Sequence, residues 1–418
     1  MKTTALRLYG KLDLRLESFD MPEAGDDEIV AEIVSDSLCM SSYKAAKQGS
    51  DHSRVPDDVA NNPVMVGHEF SGTLVKVGSK WADRYEEGAK FGIQPALLYK
   101  GTLDAPGYSF PYIGGDATRV IIPNCVMEMD CLLDYTGDAF FKASLAEPYS
   151  CVIGAANANY HIPSGTYEHK MGIVEGGKCA ILAGAGPMGL AMIDYLVNGP
   201  RKPGLLVVTD IAQDRLDRAA SLVTVESAKA NGVELKYVNT GGGDPVQDLK
   251  DVADGGYDDV FVFAPVAPVI SQADAILGRD GCLNFFAGPT DTEFSAQLNF
   301  YNVHYAGTHI CGTSGGTKGD MREAVRLISE GAVNPEILVT HVGGLTAAKE
   351  TTLNLPSIPG GKKLLYTHHD LPLVAIADFA EEGKTNPFYA DLAEICGRNN
   401  GLWSLEAEEY FTANAPKL

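Results

Sequence analysis

The stretch CAILAGAGPMG, residues 179–189, constrains this chain more than any other: an apolar strand-like run passes straight into Gly184-Ala185-Gly186-Pro187-Met188-Gly189 and then into the helical pattern MGLAMIDYLVNG. At such a turn each glycine has a physical task. Gly184 permits the tight turn, Gly186 lets a pyrophosphate approach the backbone, and Gly189 lets helix and strand pack closely. The helix start offers free N–H groups and the positive end of its dipole to phosphate, so attraction needs no basic surface. The segment Gly184, Gly186, Pro187, Met188 and Gly189 is therefore expected to bind a dinucleotide. Asp210 closes the next strand run, LLVVTD, 21 residues beyond Gly189. A carboxylate there accepts hydrogen bonds from ribose hydroxyls and repels a 2′-phosphate, which favours NAD(H) over NADP(H). Two alternatives stay open: Asp210 as a cap for the following helix, and Arg215, one turn on, as a partner for a 2′-phosphate.

From about Cys179 to Ser314 apolar runs alternate with amphipathic stretches (LLVVTD, DRLDRAASLV, LKYVNT, PVQDLKDVAD, DDVFVFAP, VISQADAILG, GCLNFFAG), the pattern of a parallel sheet covered on both faces. Residues 1–125 instead carry short strand runs between Gly and Pro turns (EIVAEIVSDSL, FSGTLVKVG, AKFGIQPAL, ATRVIIP), a β-rich domain. MREAVRLISEG reads as a helix and ILVTHVGGL and GGKKLLYTH as strands. They are too short for a core of their own and are expected to rejoin the first domain. Beyond His369, DLAEICGRNNGLW and EAEEYFTANA read as helices without a legible role. The resulting division is 1–160, completed by 313–418, and 161–312.

A net charge of −22, from 33 basic and 55 acidic residues, argues against DNA, RNA or anionic membranes as partners. No apolar run approaches a membrane span and the start lacks a signal-peptide core. The eight cysteines are scattered without a CxxC pair. Together these features point to a reducing, cytoplasmic setting.

Cys39-Met40-Ser41, Gly67-His68-Glu69 and Glu147-Pro148 contain the thiolate, imidazole and carboxylates that Zn²⁺ accepts. Cys39 thiolate, neutral His68 and one carboxylate leave such a site formally neutral. A second carboxylate would make it −1 and weaken its Lewis acidity, so either Glu69 or Glu147 should exchange with water or substrate. Taken singly, each residue is equally at home as a buried Cys, a core His or a surface Glu, and the wide spacing alone establishes no site.

The ordered set Cys39-x-Ser41, GHEFSGTLVKVG from Gly67, GGDATRVIIP from Gly114, EPYSC from Glu147, GAGPMG from Gly184 and strand-final Asp210 resembles the zinc-dependent medium-chain dehydrogenase/reductase family. The resemblance runs from the N-terminus to about Tyr366 and is closest to the polyol and sorbitol dehydrogenase branch. SLCMSSYKAA, GCLNFFAGPTD, NFYNVHYAGTH and DMREAVRLISEG are similar to reductases of ketose phosphates. It implies an α/β fold: a GroES-like, β-rich catalytic domain and a Rossmann domain with a doubly wound parallel sheet. It also implies a catalytic zinc held by Cys39, His68 and Glu69 or Glu147, Ser41 in a proton relay, and a homo-oligomer, dimer or tetramer. Two departures matter. The family's structural zinc needs four cysteines in the stretch 94–114, and QPALLYKGTLDAPGYSFPYIG has none, so one zinc per chain is expected. Ser42 stands where relatives commonly have an Asp, so the outer support of the metal must differ.

The implied reaction interconverts a ketose phosphate and a polyol phosphate. A dianion in so acidic a chain needs local cations, and Lys44, Lys47, Arg54 and Arg119 are the candidates, unless they are ordinary solvated charges. Two other readings are a dehydrogenase of an unphosphorylated polyol or sugar and a non-catalytic nucleotide-binding sensor on the same fold. The retained Cys39, Ser41, His68 and Glu69 argue against the sensor.

Overall fold

The alternating apolar runs of the middle of the chain become six parallel strands: Lys178–Leu182, Leu205–Asp210, Glu234–Asn239, Tyr257–Val262, Leu277–Phe285 and His309–Gly312. Numbered one to six along the chain, they lie in the order 3-2-1-4-5-6, that of a doubly wound dinucleotide fold. Ala180, Leu182, Val207, Val260, Val262 and Leu283 are buried on these strands, which is why the runs show no alternation of polar and apolar residues. The computed structural model describes residues 1–418, which divide into two compact units. This sheet belongs to the second, Pro148–Gly316 with Ala332–Asn334.

The first unit comprises Met1–Glu147, Thr317–Gly331 and Pro335–Leu418. Its central strand, Ile29–Leu38, pairs antiparallel with Phe70–Val77, with Arg119–Ile122 and with Lys362–Tyr366. The strands Lys362–Tyr366 and Val339–Gly344 therefore do join the N-terminal sheet across a long stretch of chain.

The tail becomes structure with a purpose. Helices Pro387–Arg398 and Leu405–Asn414 share one apolar cluster with the strands 339–344 and 362–366, centred on Tyr366, Trp403 and Phe411. Buried Glu408 accepts N–H bonds from Phe140 and Phe141 at 2.7 and 2.8 Å and the Tyr366 hydroxyl at 2.9 Å. It thus caps the start of helix Phe140–Ser144 from 268 residues away.

The unit boundary falls at Glu147/Pro148, inside helix Ala146–Ala158, rather than after residue 160, and again at Gly316/Thr317 rather than after 312. A boundary carried inside a continuous helix leaves no linker composition to read. No helix is long and apolar enough to cross a membrane.

Candidate active site

Strand pairing brings the chemistry together. Ile29–Leu38 ends at Cys39, whose extended backbone (φ −119°, ψ 146°) precedes helix Met40–Gln48 and puts Ser41 and Ser42 on that helix's first turn. The antiparallel partner strand begins at Phe70, opposite Asp36, and the Ser37 N–H donates to the Glu69 carbonyl at 2.9 Å. The end of one strand thus lies beside the start of the next, so residues 29 positions apart in sequence meet. The ligand atoms of Cys39, His68 and Glu69 all lie within 4.8 Å of one another.

This donor set fits a zinc ion: one sulfur, one imidazole nitrogen and one carboxylate oxygen, with a further position left for an exchangeable ligand. His68 Nδ1 is 3.3 Å from buried Ser42 Oγ and Nε2 is 3.2 Å from the Tyr108 hydroxyl. With the Nδ1–H donating to Ser42, Nε2 keeps its lone pair for the cluster. Ser42 therefore does the orienting task that an Asp would do, as a neutral acceptor rather than a charged one. The Cys39 thiol donates to Ser41 Oγ at 3.6 Å.

Burial, and then the Glu69 charge, push the Cys39 thiol up to about 12, while burial pulls His68 down to about 4. A metal must therefore displace the thiol proton but finds His68 already neutral. Zinc affinity is expected to tighten by about tenfold per pH unit across neutral pH, one proton leaving per ion. Titration against a competing chelator at several pH values checks this.

Glu147, in the first turn of helix Ala146–Ala158, raises the Cys39 thiol further by its charge, but its carboxylate is not among the three gathered ligand groups. It stands as a neighbouring carboxylate.

The sequence reading missed two residues. Lys362, buried in the strand Lys362–Tyr366, places Nζ 2.5 and 2.6 Å from the two Glu69 oxygens. Burial opposes its charge, but the Glu69 carboxylate more than offsets that and holds the ammonium protonated. The signal was present in GGKKLLYTH, since two lysines opening a wholly buried strand require partners inside. The other is Tyr108, from the cysteine-free stretch 94–114, which is fully buried with its hydroxyl on His68. A single Tyr in a loop carries no periodic signal.

Of the four candidate phosphate-binding cations, Lys44 and Arg54 both act electrostatically on His52, and Arg54 also acts on His68. Lys47 is exposed at the end of helix Met40–Gln48. Arg119 belongs elsewhere. It pairs with Glu32, seven residues and roughly 23 Å of strand before Cys39.

In the second unit the turn after strand Lys178–Leu182 leads into helix Pro187–Asn198. A Cβ on Gly189 would lie 1.9 Å from the Gly184 carbonyl oxygen, so close packing requires glycine there, whereas one on Gly186 would meet nothing within 4 Å. That side of Gly186 is open, and no side chain caps the helix start. The left-handed residue of the turn is Ala183 (φ 54°) and not Gly184. Gly184 is instead required by crowding, since a Cβ would lie 2.5 Å from Ile181 Cγ2. Asp210 is buried, one oxygen accepting the Ala212 N–H at 3.1 Å and the other the Ala185 N–H at 3.3 Å. It ties the glycine turn to the following loop and does not cap helix Gln213–Leu222, whose N-cap is Ala212. Arg215 is exposed in that helix's first turn.

Residues 205–330 match the family model described as zinc-binding dehydrogenase. The chain is 52% identical over 410 residues to a mannitol-1-phosphate 5-dehydrogenase of Aliivibrio fischeri, covering 98% of this chain and 97% of that one. It is 50% identical over 418 residues to an L-sorbose 1-phosphate reductase of Klebsiella pneumoniae, covering 100% and 98%. Among solved structures, 2R,3R-butanediol dehydrogenase of Bacillus subtilis superimposes with a TM-score of 0.69 at 19% identity, over 87% of this chain and 99% of that one. With its thiol, imidazole and carboxylate gathered at the end of paired strands and its glycine turn on a parallel sheet, this chain is an oxidoreductase that belongs to the zinc-dependent medium-chain dehydrogenase/reductase family, in the polyol dehydrogenase branch.

Proposed function

We propose that the protein interconverts a ketose phosphate and a polyol phosphate, with L-sorbose 1-phosphate and D-glucitol 6-phosphate as the pair. The observation that carries this reading is the convergence of Cys39, His68 and Glu69, with the Arg54 charge acting on His68, in a chain of net charge −22. When bound, one Zn²⁺ per chain polarises the carbonyl as a Lewis acid and the nicotinamide supplies or accepts the hydride. Cys39, His68 and Glu69 hold the metal, and Ser42 fixes the ring of His68. Ser41, whose Oγ is 3.6 Å from Cys39 Sγ, passes the proton that the reduced oxygen needs. Lys44 and Arg54 bind the phosphate, and Glu147 supplies a second carboxylate charge beside the thiolate. Asp210 and the glycine turn receive NAD(H) in preference to NADP(H).

A second reading, oxidation of D-mannitol 1-phosphate at C5, is favoured by the 52% identity to a protein of that name. Purified zinc-loaded protein assayed with NADH and NADPH on L-sorbose 1-phosphate, L-sorbose and D-fructose tests both substrate class and cofactor. Preference for the phosphate ester by about 10² or more in kcat/KM is expected. Equal turnover of free sugars would remove the phosphate from the reading, and an NADPH preference would remove Asp210's role as discriminator.

The expected self-association has a surface to use. Phe300, Tyr301, Val303 and Tyr305 are exposed on helix Phe300–Tyr305, next to His309–Gly312, the open edge strand of the parallel sheet, where Ile310 is also exposed. A second copy would cover this apolar patch and extend the sheet. Tyr301→Asp with Ile310→Asp is expected to halve the mass found by light scattering, and an unchanged mass would place the interface elsewhere.

A further inference from the structure

We propose that Tyr108 and Arg54 form a phosphate-end subsite that reads the separation between the reacting carbon and the phosphate, accepting ketoses whose carbonyl adjoins the phosphorylated carbon. The proposal rests on the polyol-phosphate reading above and makes it specific.

Tyr108 is held with unusual firmness. Gly107, in the left-handed region at φ +78°, lies so close to Gly67 that a Cβ would sit 2.0 Å from the Gly67 carbonyl oxygen. The loop that carries Tyr108 is thus packed main chain against main chain on the residue before His68. One end of the ring puts its hydroxyl 3.2 Å from His68 Nε2, among the ligand residues. The Arg54 guanidinium carbon lies 5.3 Å from the centroid of the same ring, and His52 stacks with it at 5.8 Å and 7°. The Ser109 hydroxyl donates to the Arg54 carbonyl at 2.6 Å, fixing this segment to the Tyr108 loop. The guanidinium thus lies over the ring whose hydroxyl meets His68, and the ring holds a cation within about its own width of the ligand residues.

Two observations point to a ligand here. Arg54 is half-buried and makes no salt bridge, although acidic residues outnumber basic ones 55 to 33. A guanidinium in that state keeps a fork of donors for an incoming anion. In addition, the hydroxyl of fully buried Tyr108 bonds the very nitrogen that His68 would give to a metal. Once that nitrogen is taken, the hydroxyl is left for whatever oxygen the substrate brings, and a buried hydroxyl is rarely left unpaired.

The geometry selects between the two substrate types carried by the names of the relatives. In a 1-phospho-2-ketose such as L-sorbose 1-phosphate, only one carbon and one ester oxygen separate the carbonyl carbon from phosphorus. In mannitol 1-phosphate oxidised at C5, the reacting carbon and the phosphate lie at opposite ends of the sugar. A cation one aromatic ring from the ligand cluster suits the short separation.

The test pairs turnover with binding measured without turnover. Zinc-loaded protein is assayed on L-sorbose 1-phosphate, D-fructose 1-phosphate and D-fructose 6-phosphate. Calorimetry with D-glucitol 6-phosphate and D-glucitol is run without nicotinamide on wild type, Arg54→Ala, Arg54→Lys and Tyr108→Phe. The two 1-phosphates are expected to exceed the 6-phosphate by about 10² in kcat/KM. Arg54→Ala should weaken D-glucitol 6-phosphate by about 10² and Arg54→Lys by about tenfold, with far smaller losses for D-glucitol. Tyr108→Phe should weaken it by about tenfold with the zinc content unchanged. Matching melting transitions guard against misfolded variants. Preference for D-fructose 6-phosphate over the two 1-phosphates, or Arg54 variants with equal effects on phosphorylated and free polyols, would overturn the spacing rule while leaving a polyol-phosphate enzyme. Turnover of free polyols alone would overturn the reading beneath it.

Discussion

Replacing Lys362 with methionine is expected to destabilise the zinc-free protein by about 3–5 kcal/mol, because it strands the buried Glu69 carboxylate without its counterion. The same substitution should tighten zinc. Lys362 Nζ lies 2.5 and 2.6 Å from the two Glu69 oxygens, so an incoming metal competes with an ammonium for the same carboxylate. The ammonium also repels the ion it neighbours. At an effective dielectric constant near 20, a unit charge at these distances is worth several kcal/mol, so a gain of at least about tenfold in zinc affinity is expected. Thermal unfolding with and without zinc, alongside a chelator competition, separates the two effects: the variant's melting temperature should fall in the absence of zinc and largely recover in its presence. Equal stability of the zinc-free proteins would show that Glu69 takes a different partner in solution. Lower zinc affinity would mean that Lys362 positions Glu69 for the metal instead of competing for it.

Replacing Cys39 with serine should abolish the chemistry through the metal. A hydroxyl in this buried, acidic setting gives up its proton far less readily than the thiol, and without a thiolate the donor set loses its strongest ligand. Zinc content is expected to fall from one ion per chain to a small fraction, and turnover by about 10⁴-fold. Nucleotide binding should persist, because the glycine turn and Asp210 belong to the other compact unit. Metal analysis with NADH fluorescence titration reads both. Full zinc content in the variant would move the primary ligand set away from Cys39.

Strings of neighbouring residues were legible without the fold. CAILAGAGPMG announced strand, turn and helix because glycine is demanded there by local crowding: a Cβ on Gly189 would lie 1.9 Å from the Gly184 carbonyl oxygen. The parallel sheet was legible for a similar reason: strands buried on both faces must be apolar throughout. Asp210 was singled out correctly as the end of the second strand, but its two backbone hydrogen bonds depend on where the glycine turn folds back, and no spacing encodes that. Arg119 was grouped with Arg54 by its charge and by the family resemblance of its segment, and strand pairing carries it far from Cys39.

What the sequence by itself determined is therefore what short-range physics enforces: the glycine turn, the apolar strands, the helices of the tail and the residue types able to hold zinc. Only the tertiary structure decided which of them meet. Antiparallel pairing of Ile29–Leu38 with Phe70–Val77 on one side and Lys362–Tyr366 on the other places Cys39, Glu69 and Lys362 at one end of three neighbouring strands. Glu69 and Lys362, joined by their ion pair, are 293 residues apart, and contact across such a distance arises from burial of the whole sheet, which no local pattern of residues records.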